Sequence, residues 1–140
     1  MEQNIKVTVD AIVFSVIDEQ LKVLLVQRKN EPFKDMWSIP GGFVEDGETL
    51  EGAMKRELKE ETGLKLKHAA QLHAFGQPGR DPRGHTISIA YYALLEDYLT
   101  HKIKAGDDAG DAQWFNIHHL PELAFDHAEM IAYAMKQLPS

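Results

Sequence analysis

The strongest constraint on this chain is a helical segment that carries carboxylates where a core should be. Thr49 to Thr62 reads as a helix, with Thr49 as its N-cap and Gly63 as its stop. Leu50 is set at zero on a wheel of roughly 100° per residue. Ala53 then falls near −60°, Met54 near +40°, Leu58 near +80° and Leu64 near −40°. These residues make one apolar stripe. Glu57 lands at roughly −20° and Glu61 at roughly +20°, in the middle of it, with Glu60 at its edge. Lys55 and Lys59 lie on the opposite side, where solvent is expected.

A solvated face is the ordinary explanation of a glutamate-rich helix. It suits Glu51, which can pair with Lys55 one turn on. It does not suit Glu57 and Glu61. An unpaired carboxylate costs several kcal/mol to bury, comparable to the whole margin of a small domain. The two must be paired, protonated or bound to a cation. An ion pair with Arg56 is the other ordinary explanation. Arg56 points roughly 100° away from Glu57 on the wheel, and is better placed to reach Glu48 in the preceding loop. Carboxylates one turn apart suit a hard cation, magnesium or manganese, that also takes water and phosphate oxygens. Zinc is disfavoured. There is no cysteine and no His-Glu-x-x-His pattern, and His118-His119 has no third ligand at helical spacing.

The formal charge of −7 argues against general nucleic-acid binding. It also means that an acidic substrate would meet an acidic protein, a conflict that a bound cation resolves. The length of 140 residues suits one domain over 1–140. No apolar run approaches the ~20 residues of a membrane span. No basic-then-apolar stretch opens the chain, so no signal peptide and a cytoplasmic location are expected.

Around the helix, Val7 to Val16 and Leu21 to Gln27 read as a hairpin, and Trp37 to Ile39 as a short strand. Pro40-Gly41-Gly42 is expected to break regular structure. Leu66 to Phe75, Thr86 to Leu95 and Asp111 to Ile117 read as strands, and Phe125 to Leu138 as a helix capped at or just before Asp126. Strands, helix, strands, helix suggests a mixed sheet with a helix on each face. Gly41 and Gly42 would let backbone approach a metal or a phosphate closely, just before a helix N-terminus that favours anions.

From Gly42 to Leu64 the chain runs GFVEDGETLEGAMKRELKEETGL. This resembles the Nudix box of the Nudix hydrolases. Gly42, Glu48, Arg56, Glu57, Leu58, Glu60, Glu61, Gly63 and Leu64 all stand where that pattern asks. The match covers 23 residues and is highly specific. The resemblance implies an α/β fold, the Nudix α/β/α sandwich with a mixed β-sheet. It implies that Glu57, Glu60 and Glu61, with the Gly41 carbonyl, hold magnesium, manganese being the alternative. Glu48 and Arg56 would form the structural pair that locks loop to helix. The implied reaction is attack of water on a nucleoside diphosphate linked to another group. Glu60 or Glu61 would activate the water, or an acid from a later loop, for which Asp107, Asp108 and Asp111 are the candidates.

The loop Gly76 to His85 contains Arg80 and Arg83, donors suited to phosphate oxygens, though an exposed turn would read the same way. Together with Thr86 to Tyr91 and the segment Leu123-Ala124-Phe125-Asp126-His127, it is similar to compact bacterial and archaeal ADP-ribose pyrophosphatases. That resemblance favours ADP-ribose as substrate. Arg28, Phe33 and Trp37 precede the glycine turn and are placed to touch base or ribose, Trp37 being also a core candidate. Two other readings stay open: a hydrolase of modified nucleoside triphosphates, and a non-catalytic ligand sensor. Relatives of this kind are often dimers, so a homodimer is admitted, although no interface signature stands out.

Overall fold

The computed structural model describes residues 2–96, 103 and 109–139. Its elements in chain order are β1 (Lys6–Ile17), β2 (Gln20–Arg28), β3 (Trp37–Ser38), β4 (Gly41–Phe43), α1 (Leu50–Thr62), β5 (Ala70–Phe75), β6 (Thr86–Leu95), β7 (Ala109–Asn116) and α2 (His127–Met135). The seven strands form one sheet in the order β3-β2-β1-β6-β5, with β4 added to β1 and β7 to β2. β1 and β6 run parallel and the other pairs antiparallel, so the sheet is mixed.

β1 shows why a helix covers each face. Successive side chains point to opposite sides of a strand. Val9, Ala11 and Val13 enter the core that holds Ala53, Met54 and Leu58 of α1. Ile12 and Phe14 enter the core that holds Met130, Ile131 and Ala134 of α2. A strand buried on both sides reads as a continuous apolar run, which is what its sequence contains. The hairpin to β2 closes through Asp18 (φ 53°) and Glu19 (φ 65°), both in the left-handed region that the tight primed turns require.

The sheet splits where the site lies. β1 pairs with β2 only over Phe14 to Ile17, and over Thr8 to Asp10 it pairs with β4 instead. The far half of β2 turns to β3 and β7. A cleft opens in the split, lined by Thr8 and Asp10 from one strand and by Val26, Gln27 and Arg28 from the other.

Three expectations need correction. Gly41 and Gly42 do not break regular structure; they begin β4, because β1 offers them a partner. Leu66 to Ala69 lies outside the β5 strand, although Leu66 is buried against α1. Helix α2 is shorter than its apolar pattern, and Asp126 at its start makes no side-chain cap bond. Asp107 and Asp108 lie outside the described residues. No described helix is long and apolar enough to cross a membrane.

Candidate active site

Helix α1 begins as expected. The Thr49 hydroxyl accepts from the Gly52 N–H at 3.0 Å. It ends on Gly63 at φ 76°, whose N–H donates to the Lys59 carbonyl at 2.8 Å. Glu51 and Lys55 pair at 3.1 Å on the exposed side.

The carboxylates of the apolar stripe face β4. Glu61 Oε1 accepts from the Gly41 N–H at 3.3 Å. The Glu57 carboxylate lies so close to Gly42 that a Cβ there would sit 2.6 Å from it. At Gly41 a Cβ would sit 2.2 Å from the Val9 carbonyl and 2.3 Å from Asp10 Oδ1. Gly41 is therefore required by the backbone beside it, and a side chain at Gly42 would have to displace the Glu57 carboxylate. Burial pushes Glu61 up to about 9, reinforced by the charge of Glu57. Burial also raises Glu57, against the pull of Arg56. Two neighbouring acids that both resist charging mark a site short of positive charge.

Arg56 organises the outer side. Its Nε and Nη2 donate to Glu48 at 2.7 and 2.8 Å, the expected fork-to-carboxylate pair, and Nη2 also reaches the Phe43 carbonyl at 3.2 Å. The pair holds the Glu48 carboxyl down to about 2. Arg56 Nη1 also donates to Glu57 at 2.6 Å and to Glu60 at 3.3 Å. The expectation that Arg56 turns away from Glu57 is thus wrong. A wheel gives the direction of Cβ, whereas a long guanidinium side chain can wrap round to its neighbour. Glu60 is 53% exposed and Glu57 only 17%. Among the described residues no three acidic or imidazole groups already converge on one point. The donor set nonetheless fits a hard divalent cation: the carboxylate oxygens of Glu57 and Glu61, raised in pKa chiefly by burial, beside a backbone bared of side chains.

The opposite wall holds groups that the sequence reading missed. Asp10 is 6% exposed and burial raises its carboxyl to about 6, although Ser88 Oγ donates to it. The His127 ring is buried at the cleft wall, and burial lowers it to about 3. Its Nδ1 accepts from the Ile39 N–H, which places the proton of the neutral ring on Nε2, 4.0 Å from Asp10 Oδ1. The signal for Asp10 was there: an acid in the middle of a strand that is otherwise mostly apolar and β-branched.

The expected phosphate donors part company. Arg80 is 5% exposed and its fork closes on Asp126 at 2.9 and 2.7 Å, which also explains the missing cap on α2. Arg80 also lines the cleft, and its more enclosed side chain braces the wall through that ion pair. Arg83 and Arg28 both line the cleft, as do Gly42, Glu61 and Phe125. Arg83 is held by the buried Asp81, and Arg28 Nε donates to the Pro32 carbonyl at 2.7 Å. Trp37 packs edge-on against Phe115 in the α2-side core, as a core residue should. Asp111 binds its own neighbours, Ala112 N–H and the Gln113 amide, and does not line the cleft.

A split mixed sheet between two helices, with an acid-bearing helix entered through a glycine strand, is the architecture of an α/β/α sandwich of the Nudix type. The chain belongs to the Nudix family: the NUDIX domain model matches residues 6–134. It is 49% identical over 121 residues to an ADP-ribose pyrophosphatase of Methanocaldococcus jannaschii, covering 86% of this chain and 70% of that protein. It is 34% identical to an ADPR-responsive transcriptional repressor of Acinetobacter baylyi, covering 94% of this chain but only 53% of the repressor's length. The NUDIX domain of Shewanella oneidensis NrtR, solved in complex with ADP ribose, superposes with a TM-score of 0.92 at 35% identity, covering 99% of this chain and 91% of that one.

Proposed function

We propose that this chain hydrolyses the pyrophosphate linkage of ADP-ribose, with a divalent cation, to AMP and ribose 5-phosphate. The observation that carries the reading is the half-buried acids Glu57 and Glu61 against the glycine strand, with Glu61 lining a cleft that also holds arginines. Water attacks one phosphorus, the bridging P–O bond breaks, and the two phosphates leave with the proton and hydroxide of that water. Glu57, Glu60, Glu61 and the Gly41 carbonyl would hold magnesium, or manganese in its place. Such a cation neutralises the pyrophosphate, polarises its P–O bonds and lowers the pKa of water.

The chain's own groups do the rest. Glu48 clamps Arg56, and Arg56 holds Glu57 and Glu60 in place. Arg28 and Arg83 receive phosphate oxygens, and Gly42 lets the substrate come close to the backbone. Glu60 or Glu61 orients the attacking water. The net charge of −7 agrees with a small-molecule substrate rather than a nucleic-acid partner.

A panel of nucleoside diphosphate derivatives and nucleoside triphosphates, assayed with magnesium and again with chelator, tests this. AMP release from ADP-ribose that stops with chelator is expected. Pyrophosphate release from triphosphates with ADP-ribose inert overturns it. The similarity to a repressor favours one competing reading, a ligand sensor. Tight ADP-ribose binding without turnover in magnesium would establish that instead.

A further inference from the structure

Phe125 occupies an unusual position at the mouth of the cleft. Its backbone is left-handed, at φ 53°, and so is that of Phe33, at φ 62°. Large side chains adopt this region rarely, and here two that do so come from separate loops and pack edge-to-face, 4.8 Å between centroids. The Phe125 ring also carries two cations. Arg28 lies 4.9 Å and Arg83 5.3 Å from its centroid, and Arg83 further reaches the Phe43 ring at 4.8 Å. The two guanidiniums are close enough for each to feel the other's charge. Like charges do not gather beside one ring without a reason. The face of an aromatic ring attracts cations, and a planar guanidinium can stack there while keeping its N–H edge for another partner.

Among the described residues the hydrogen bonds leave that edge available. Arg28 uses Nε on the Pro32 carbonyl, and Arg83 uses Nε and Nη2 on Asp81. Nη1 and Nη2 of Arg28 and Nη1 of Arg83 are not engaged by these contacts. Both residues and the ring line the cleft that Glu61 also faces. We propose that Phe125 is a positioning residue: it gathers Arg28 and Arg83 into one clamp whose N–H groups grip the phosphate oxygens of a nucleoside diphosphate. This rests on the reading of the cleft as a substrate site and assigns the element that orients the substrate in it. The ring touches no reacting atom.

Phe125→Leu keeps the apolar bulk and removes the π face; Phe125→Tyr restores it. Binding of ADP to the chelator-treated protein, measured by calorimetry, reads the clamp without any turnover. Two cation–π contacts of ordinary strength predict about tenfold weaker ADP binding in F125L and recovery to within about twofold in F125Y. With ADP-ribose and magnesium, KM should rise by a similar factor while kcat changes little, a split that general loosening of the fold does not produce. If F125L no longer melts cooperatively, Phe125→Met takes its place. It too keeps apolar bulk and removes only the π face, and the same loss of ADP binding is expected. Equal ADP binding by wild type and variant, or no ADP binding by wild type, overturns the clamp. Weaker ADP binding in F125L from a chain that hydrolyses no ADP-ribose keeps the clamp and removes only the hydrolase reading.

Discussion

The Ile39 N–H donates to Nδ1 of His127 at 3.0 Å, across 88 positions of sequence, and so ties the start of α2 to the strand segment before Gly41. This bond needs the neutral ring. A proton on Nδ1 would face an N–H that has no other partner among the described bonds.

The pH dependence of stability follows from that bond. Folded His127 takes a proton only near pH 3, while the unfolded side chain does so near 6.5. Between those values the unfolded chain binds more protons, so stability from this residue is present above 6.5 and falls as pH drops through the window. Asp10 opposes it. Its folded value is about 6 against 3.8 unfolded, so between them the native state binds more protons and stability falls as pH rises. Urea titrations from pH 4 to 7 should show Asp10→Asn steepening the acid-side loss and His127→Gln removing it. Parallel pH profiles in wild type and H127Q would contradict this account of the ring.

Arg80→Ala should cost stability more than substrate affinity. Breaking a buried ion pair leaves Asp126 uncompensated, at about 3–5 kcal/mol. Denaturant midpoints would show that loss. A stable variant with a many-fold higher KM would make Arg80 an open substrate donor after all.

Gly42→Ala tests the close approach of strand and helix. The added methyl would sit 2.6 Å from the Glu57 carboxylate, and Gly42 is not among the glycines at positive φ, so the carboxylate is what resists it. Overpacking of this kind costs about 1–3 kcal/mol, and displacing Glu57 should lower turnover at least about tenfold. Melting temperature and kcat measured on the same preparation check both effects. Normal activity would show that Glu57 need not stand where it does.

Arg56→Lys keeps the charge and loses the fork on Glu48. Since that fork also steadies Glu57 and Glu60, the magnesium concentration for half-maximal activity should rise about 10–100-fold. An unchanged magnesium dependence would separate Arg56 from the acidic cluster.

Much of α1 was legible because its signals are local. Thr49 caps, Gly63 stops, and the wheel places Glu57 and Glu61 toward the core, where they lie. The β1–β2 hairpin and the helix on each face followed from period and order. What escaped depends on long-range contact. Gly41 to Phe43 is a strand only because Thr8 to Asp10 pairs with it. Asp10 and His127 meet only when α2 folds over the split between β1 and β2. Arg80 looks like an exposed donor until Asp126, 46 positions on, closes on it.

Turnover is expected to depend on the neighbouring acids Glu57 and Glu61 of α1. Glu61→Gln replaces one oxygen, keeps the shape and leaves the core beside it intact. AMP release from ADP-ribose with saturating magnesium, measured with the melting temperature, tests it most directly. We predict turnover reduced at least about a hundredfold in a variant that still melts cooperatively. Wild-type turnover from a folded Glu61→Gln protein would contradict it.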